Sequence, residues 1–384
     1  MAAEEGVRAP LRARPGLAFE IEATDGAARA GRLRTRAGFI QTPLFMPVGT
    51  QGSVKGLRPD WLHDEGARVL LVNAYHLFLR PGLEVVKAAG GVNRFMGWPG
   101  LTLADSGGFQ VFSLTGLVKV ADEGVSFQSH IDGRKFFITP ENLMDIQRQI
   151  GADIIMPLDQ CVPFPCDEGD ASIALERTNR WAQRSLDRFR AEGQAIFGIV
   201  QGSTFETLRA EGARKIASMD FDGYAVGGVS VGEGPKLVRA VLDWTFPCLP
   251  AGRPRYVMGL GRPEDLLEAI GRGADMFDCV LPTRNGRNGQ AFTLDGVVRI
   301  RNARYAADQS PLERNCSCYV CENFTKAYLR HLFMAREMLG PILLSMHNIA
   351  FFLRLMQGAR QAILAKSYRS FCEGILGRIQ AGAV

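Results

Sequence analysis

With 384 residues, the chain is long enough to bury a large core, either as one big domain with an appendage or as two ordinary domains. Hydrophobic residues make up 46% of it and charged residues 22%, which is typical of a soluble globular protein. No apolar run approaches the roughly 20 residues needed to cross a bilayer, and no apolar stretch follows the N-terminal arginines, so we expect a cytoplasmic protein without a membrane partner. The net charge of +5 permits a polyanionic partner without requiring one.

Residues 17–42 alternate between apolar and polar side chains around a turn at Asp25-Gly26, which predicts an antiparallel cap. Short apolar runs then recur eight times, each ending in a polar or glycine residue and most followed by a helical stretch. They lie at 44–48, 69–73, 101–105, 154–159, 196–201, 224–228, 256–259 and 274–278. Continuous apolar strands that alternate with helices predict an α/β fold with a parallel sheet buried on both faces, and eight of them close as a (β/α)8 TIM barrel.

Two hairpins are predicted outside this repeat. Asp132-Gly133 joins residues 125–130 to 134–138, ahead of a helix over 140–150, and Asp295-Gly296 joins 291–293 to 297–300. From Pro341 onward the pattern indicates long amphipathic helix. We therefore expect an N-terminal antiparallel cap over 1–42, a barrel core over 43–288 with an insertion at about 109–150, and a third region over 289–384.

Three of the eight cysteines lie within six residues, at Cys316, Cys318 and Cys321. With His347 they have the ligand types and number of a closed tetrahedral zinc site, which leaves no position for catalysis. The alternative for His347, given the long gap, is a buried hydrogen-bonded histidine. One structural Zn2+ per chain would tie the second hairpin to the terminal helices, so we expect 289–384 to be a zinc-binding helical subdomain.

In a barrel of this kind, reactive groups come from the C-terminal ends of different strands. Here those ends supply Asn73, Asp105, Asp159, Gln201, Gly228, Met258 and Asp278. A turn role explains any one of them, but three aspartates, an amide and a glycine at one mouth are harder to explain that way. Because only His76 among the histidines lies near a strand end, we expect carboxylate chemistry without a catalytic metal. Substitution at a sugar C1′ requires such a pair of carboxylates.

Asp278 is the candidate nucleophile, because its strand leads directly into a predicted loop that contains arginines and glycines. Arg284 and Arg287 in that loop can hold phosphates or base edges of a nucleic acid. The alternative is that Asp278 caps the next turn and the arginines are solvated. Asp105 is followed by two glycines that let the backbone approach a flat ligand and by Phe109, which can stack on one. The alternative is that these two glycines only form a tight turn.

These motifs resemble the family of bacterial tRNA-guanine transglycosylases, also called queuine tRNA-ribosyltransferases. The resemblance rests on residues 105–110, 222–228 and 275–284 and on the three cysteines with His347, and it covers nearly the whole chain. It implies a zinc-containing (β/α)8 barrel that is usually a homodimer. The implied activity is exchange of the wobble guanine in tRNAs for His, Tyr, Asp and Asn codons for a 7-deazaguanine, a step of queuosine biosynthesis.

The resemblance also implies a role for each matched residue. Asp278 would form a covalent ester with tRNA, and Asp105 would be the general acid and base. Base-binding positions would be Ser106, Gly107, Gly108, Phe109, Asp159, Gln201, Gly228 and Met258. The tRNA-binding positions would be Gly259, Gly261, Arg262, Thr283, Arg284 and Arg287.

In the family that the chain resembles, a pocket beside the base sets which 7-deazaguanine enters. Eukaryotic relatives have glycine where this chain has Val231 and valine where it has Cys161, so the resemblance implies use of 7-aminomethyl-7-deazaguanine (preQ1) and exclusion of the bulkier queuine. The Val229-Ser230 pair departs from the usual Leu-Ala.

Two alternatives stay open at this stage. One is a catalytically silent tRNA-binding partner, against which Asp105, Asp278 and both arginines argue. The other is an archaeal-type enzyme acting on the D-loop, which normally carries an added C-terminal RNA-binding domain that we do not expect here.

Overall fold

The computed structural model describes residues 17–35, 38–108, 118–190 and 193–382. Its first three strands form the antiparallel cap predicted from the alternating pattern. They are β1 (Ala18–Asp25), β2 (Ala28–Thr35) and β3 (Gly38–Thr42). Gly26, in the turn between β1 and β2, has a φ of +59°, a conformation that favours glycine.

Eight parallel strands form the barrel. They are β4 (Leu44–Pro47), β5 (Val69–Asn73), β6 (Leu101–Asp105), β10 (Ile154–Ile155), β11 (Ala195–Val200), β12 (Gly223–Val226), β13 (Arg255–Val257) and β14 (Met276–Cys279). Hydrogen-bonded neighbours run in the order β4-β14-β13-β12-β11-β10-β6-β5, and a parallel bridge between Val48 and Leu71 closes the ring. The predicted (β/α)8 fold is confirmed, and each of the eight apolar runs overlaps a barrel strand.

The barrel strands are buried on both faces, which explains why their sequences are apolar without alternation. Every residue of β5, β11 and β12 is buried. Alternate strand residues, among them Met46, Leu103, Phe197 and Tyr256, pack with one another as an interior cluster. The other strand residues pack against the surrounding helices. The barrel is therefore a filled core whose reactive groups can lie only at its ends.

Fourteen α-helices lie in the described residues. They are α1 (Pro59–Asp64), α2 (Ala74–Leu79), α3 (Leu83–Ala88), α4 (Val92–Met96), α5 (Pro140–Ile150), α6 (Glu168–Arg188), α7 (Glu206–Ala217), α8 (Pro235–Thr245), α9 (Pro263–Gly271), α10 (Leu281–Arg287), α11 (Tyr319–Asn323), α12 (Lys326–Met334), α13 (Leu339–Leu364) and α14 (Tyr368–Ala381). Helix α5 begins with a reciprocal capping box between Thr139 and Asn142.

Both predicted hairpins are present. The first belongs to a three-stranded sheet of β7 (Val118–Val120), β8 (Val125–Gln128) and β9 (Lys135–Ile138), and the second pairs β15 (Gln290–Thr293) with β16 (Gly296–Arg299). Residues 109–117 of the insertion lie outside the described residues. The division into three domains stays a prediction, because buried residues of α13 pack with both the barrel and the cysteine-containing region.

The segment from Pro341 onward is helical, as the sequence predicted, but the predicted amphipathic character was wrong for its first helix. The segment forms two helices, α13 and α14, separated at residues 365–367, where Lys366 has a φ of +55°. Helix α13 is also buried around most of its circumference. It is long and apolar enough by length and composition to cross a membrane, but 72% of its most apolar window is buried inside the protein. Helix α13 is therefore a core helix.

Candidate active site and metal group

A cavity of about 760 Å³ opens at the carboxyl ends of the barrel strands. Its walls contain all seven strand-end residues predicted from the sequence, namely Asn73, Asp105, Asp159, Gln201, Gly228, Met258 and Asp278. Gly259, Gly261, Arg262 and Arg284 complete one side of it. A cavity of this size accommodates a purine with its ribose, and its wall combines apolar surface with convergent polar groups.

Asp278 is held by one of its two carboxylate oxygens. Oδ1 accepts hydrogen bonds from the Tyr256 hydroxyl (2.5 Å) and the Gly259 N–H (2.8 Å). Within the described residues, no hydrogen bond reaches Oδ2. Burial raises the pKa of Asp278, whereas these two bonds act to lower it. The carboxylate is thus fixed in orientation while its second oxygen is left for a ligand.

Asp105 has the electrostatics of a proton carrier. Its Oδ2 accepts a bond from the Asn73 amide (2.9 Å), and its side chain opens onto the cavity but is otherwise enclosed by protein. Burial, followed by the negative charges of Asp159 and Asp278, raises the pKa of Asp105 to about 7. A carboxyl group with this pKa is present in both protonation states near neutral pH, as a general acid and base requires.

Asp159 and Gln201 form a second polar wall. Asp159 Oδ2 accepts from Gln201 Nε2 (2.7 Å), and Oδ1 accepts a longer bond from the Ser106 hydroxyl (3.4 Å). Burial raises the pKa of Asp159 to about 6. A Cβ on Gly108 would lie 2.9 Å from the Asp159 carboxylate, so a side chain at position 108 would displace that carboxylate. When ionised, Asp159 offers acceptors to N–H groups of a base.

The segment after β12 forms the remaining wall of the cavity. Val229, Val231 and Glu233 line the cavity together with Cys161. Glu233 holds this segment from behind, since its two carboxylate oxygens accept from the Ser230 N–H (2.6 Å) and the Val231 N–H (2.9 Å). The conformation of the segment at Ser230 and Val231 is therefore set by the buried carboxylate of Glu233.

The stretch after Asp278 was predicted as a loop, and this was wrong: Leu281–Arg287 is helix α10. Arg284 is exposed and lines the cavity, whereas Arg287 lies one turn further on, outside the cavity wall. Within the described residues, Arg287 Nη1 is buried without a hydrogen-bond acceptor. Thr283 is buried, and its hydroxyl donates to the Val280 carbonyl (3.4 Å). The predicted RNA contacts of these residues stay predictions.

Other predicted residues lie behind the cavity wall or outside the described residues. Ser106, Gly107 and Gly108 form the turn that follows β6, where Gly107 has a φ of +84° and a Cβ would lie 2.4 Å from the Tyr75 Cβ. Only glycine fits there. Phe109 lies outside the described residues, so its predicted stacking role stays untested.

Two residues of the site were missed in the sequence. Tyr256 on β13 donates a hydrogen bond to Asp278, and it lies two residues before Met258, which follows the strand, so the period of two could have placed it on the same inward face. Arg209 is completely buried behind Gly227 and Gly228, where it donates to their carbonyls. No local signal on helix α7 marks it, since an arginine on a helix is usually exposed.

A second group of reactive side chains lies apart from the cavity, where Cys316, Cys318, Cys321 and His347 are all buried. Their ligand atoms lie within 4.8 Å of one another. His347 Nδ1 is 3.9, 3.5 and 3.4 Å from the three sulfurs in that order. Tetrahedral bonding with zinc-like bond lengths gives a sulfur–nitrogen separation of about 3.6 Å, so the geometry fits an ion at the centre.

The outer contacts of this group agree with metal binding. His347 Nε2 contacts the Phe292 carbonyl at 2.8 Å, so Nε2 carries the proton and Nδ1 is free to ligate. The Arg354 guanidinium donates to the Cys316 sulfur and, at 2.7 Å, to Glu313. The structure therefore contains a buried Cys3His group that can bind a metal ion.

Taken together, the fold and cavity define a (β/α)8-barrel enzyme with convergent carboxylates at the barrel mouth. Comparison with known proteins gives the family. A family model described as queuine tRNA-ribosyltransferase matches residues 24–381. The chain belongs to the queuine tRNA-ribosyltransferase family, and its enzyme class is that of the pentosyltransferases.

Several curated relatives support this assignment along nearly the whole chain. A queuine tRNA-ribosyltransferase of Symbiobacterium thermophilum is 52% identical over 93% of this chain and 89% of the relative. Proteins of the same name from Zymomonas mobilis and Caulobacter vibrioides are 48% and 51% identical, each over 95% of this chain and over 96% and 99% of the relative.

Metal analysis of the purified protein is expected to find about one thiolate-bound ion per chain, because the four ligands form a closed, buried set. Cys318→Ala should remove most of this metal and destabilise the region after residue 300, since metal-binding free energy contributes to folding there. The half-buried Cys248, which lies outside the group, provides the control as Cys248→Ala. Full metal content in Cys318→Ala, measured by elemental analysis, would contradict the assignment.

Proposed function

We propose that this enzyme is a tRNA-guanine transglycosylase that exchanges the wobble guanine of tRNAs for Asp, Asn, His and Tyr for preQ1, through a covalent enzyme–tRNA intermediate. The observation that carries the proposal is the pair Asp278 and Asp105. One carboxylate is oriented with an oxygen left free, and the other has a pKa near neutrality, in the same cavity. A silent tRNA-binding partner would need neither feature.

The two carboxylates divide the reaction between them. Asp278 Oδ2 attacks C1′ of the wobble nucleotide and forms a C1′–O ester bond as the C1′–N9 bond breaks, and the departing guanine takes a proton from Asp105. In the second step, Asp105 accepts the N9 proton of the incoming base. That base attacks C1′ and releases Asp278 as a carboxylate. Each step regenerates the protonation state that the next one needs.

Recognition of the base is assigned to the Asp159 wall and the strand-end glycines. Ionised Asp159, held by Gln201 at 2.7 Å, accepts from the N1–H and 2-amino groups of a guanine edge. Side chains at positions 227 and 228 would displace Gln201, because a Cβ on Gly228 would lie 2.4 Å from Gln201 Oε1. Met258, on the cavity wall, covers a face of the base.

Contacts to the RNA backbone and to neighbouring nucleotides are assigned to the rim. Arg262 and Arg284 line the cavity at its edge and are positively charged, as phosphate contacts require. Arg287 has a buried guanidinium nitrogen that is left for an acceptor from outside the described residues. Gly259 and Gly261 bring the backbone close to the same rim.

We assign preQ1 as the incoming base from the segment between Gly228 and Glu233. Val231 and Cys161 both narrow the cavity there. Because the Ser230 N–H donates to Glu233, the Val229 carbonyl of the same trans peptide points away from that carboxylate. This carbonyl is the group we assign to receive the aminomethyl ammonium of preQ1.

The metal, oligomeric state and location follow the same reasoning. We assign one structural Zn2+ to the Cys3His group, because its ligand set and spacing suit tetrahedral zinc. A homodimer would cover the exposed apolar side chains Tyr319, Tyr328, Met334 and Met338 on or beside α11 and α12. The cytoplasm is the proposed location, since the substrate tRNA is there.

Asp278→Asn is expected to abolish base exchange, by at least three orders of magnitude, while tRNA binding stays within about threefold, because the amide keeps the shape but cannot form the ester. Incubation with labelled guanine and tRNA measures exchange, and denaturing electrophoresis detects the covalent adduct. The adduct should form with the wild type and be absent from the variant. Robust turnover by Asp278→Asn would sink the nucleophile assignment.

Release of guanine in a single turnover should slow as the pH rises through about 7. Burial and the neighbouring carboxylates raise the pKa of Asp105, so its acid form predominates below that pH and is lost above it. The rate should fall about tenfold per pH unit on the alkaline side. In Asp105→Asn the rate of guanine release should be about 10²- to 10⁴-fold lower and should no longer fall as the pH rises above 7. A wild-type profile that is flat from pH 6 to 8.5, on rapid quench, would contradict the role of Asp105.

Val231→Gly is expected to admit queuine, which the wild type should use poorly or not at all, because the branched side chain collides with the added ring. Incorporation of preQ1 should change little. Val48→Ala, which enlarges the cavity at the end of β4, is the matched control and should not admit queuine. If the wild type incorporates queuine as readily as preQ1, the steric explanation is wrong.

A further inference from the structure

Arg209 is a completely buried cation directly behind the cavity wall. Its guanidinium donates to four backbone carbonyls: Nε to Ser203 (2.6 Å), Nη1 to Val200 (3.0 Å) and Gly227 (2.9 Å), and Nη2 to Gly228 (3.2 Å). Among the described residues it forms no salt bridge. Burying a charge in this way is costly, and satisfied hydrogen bonds offset part of the cost. The contacts join the ends of β11 and β12 in one fixed arrangement.

These contacts determine where the backbone donors of the wall point. The 227–228 and 228–229 peptides are trans, so each N–H points opposite to the carbonyl of the same peptide. The Gly227 carbonyl faces Arg209, and the Gly228 N–H therefore faces away from it, towards the cavity that both glycines line. Across the part of the chain that the structure describes, no acceptor receives this N–H. Gly228 is half-buried on the cavity wall, so its unpaired N–H is available to an acceptor that a ligand brings into the cavity.

Because residues 227 and 228 are both glycine, the orientation of the peptide between them depends on contacts with other residues. Gly228 has a φ of +63°, and two consecutive glycines can reorient the peptide between them at little cost. Glu233 holds only the later part of the segment, through the Ser230 and Val231 N–H groups. Arg209 is the group that holds the earlier part, at Gly227 and Gly228.

We propose that Arg209 is a positioning residue for base selection: it aims the Gly228 N–H at the 6-oxo group of the purine and thereby favours 6-oxopurines over purines without that oxygen. This inference rests on the proposed function. It completes the recognition of a guanine edge, because the Asp159 carboxylate accepts from the base N–H groups while the Gly228 N–H donates to the oxygen beside them. Arg209 itself touches no ligand.

The test compares guanine with 2-aminopurine, which lacks the 6-oxo group, as competitive inhibitors of labelled preQ1 incorporation into tRNA. The wild type should prefer guanine. In Arg209→Lys this preference should fall about tenfold, the typical effect of one hydrogen bond, because inhibition by guanine weakens while inhibition by 2-aminopurine changes less than about threefold. Arg209→Gln should lower the preference at least as much.

Arg360→Lys is the matched control. Arg360 is also buried and donates to the carbonyls of Gly31 (2.7 Å) and Thr42 (2.9 Å), in the cap, so the inhibitor ratio should stay at the wild-type value. An unchanged ratio in a folded Arg209→Lys enzyme would overturn the inference, and so would an equal loss in both lysine variants.

Failure of the proposed function is distinguishable from failure of this inference. If the wild type incorporates no base into tRNA, the proposed function fails. Calorimetry then tests the role of Arg209 alone, as the ratio of guanine affinity to 2-aminopurine affinity in the wild type and in Arg209→Lys. If the Arg209 variants do not fold, a structure of the wild type with guanine decides. An O6 within about 3.2 Å of the Gly228 nitrogen, with the Gly227 carbonyl still on Arg209, supports the inference, and any other position of O6 overturns it.

Discussion

Burial of three carboxylates around one cavity is the constraint on which the active site depends. An ionised carboxylate removed from water costs several kcal/mol even after the protein relaxes. Asp105, Asp159 and Asp278 receive their hydrogen bonds from an asparagine, a glutamine, a serine, a tyrosine and a backbone N–H, all of them neutral donors. Neutral donors orient a carboxylate without fixing it in the charged form. An arginine in the place of Asn73 would keep the pKa of Asp105 low and remove the acid on which the proposed exchange depends.

Arg209, a buried cation behind the cavity wall, donates its hydrogen bonds to the backbone and not to carboxylates. Burial lowers the pKa of Arg209 to about 10, so it stays charged at neutral pH, yet its hydrogen bonds all go to carbonyl oxygens. The charge is thereby used to hold peptide orientation in a segment that contains two glycines. Glu233 fixes the later part of the same segment, since its carboxylate accepts from the Ser230 and Val231 N–H groups. The base pocket is thus held by one cation and one anion that do not pair with each other, each fixing a different stretch of backbone.

The barrel and the main residues of the site could be predicted from the sequence because a strand buried on both faces has a continuous apolar run with a polar end. The helix at 281–287 could not, since Pro282 and Gly286 are loop signals locally. Proline is compatible with the first turn of a helix, where its missing N–H is not needed. Gly286 is required by packing: a Cβ there would lie 2.6 Å from the Ser345 nitrogen of α13. Arg209 acts through tertiary contacts, which the local pattern does not contain, whereas the period of two already places Tyr256 on the inward face.

Helix α13 links the Cys3His group to the rim of the cavity, although the two are separate sites. His347 lies next to Asn348, whose amide donates to the carbonyls of Pro282 and Gln290 (both 2.9 Å), and close to Ser345, against which Gly286 packs. An ion bound to His347 and the three cysteines would fix the position of α13 against the second hairpin. Helix α10 packs on that same stretch of α13. The orientation of Arg284 at the cavity rim therefore depends on the position of α13. A closed metal site can therefore support the proposed RNA binding without any part in the chemistry, by holding the surface on which α10 lies.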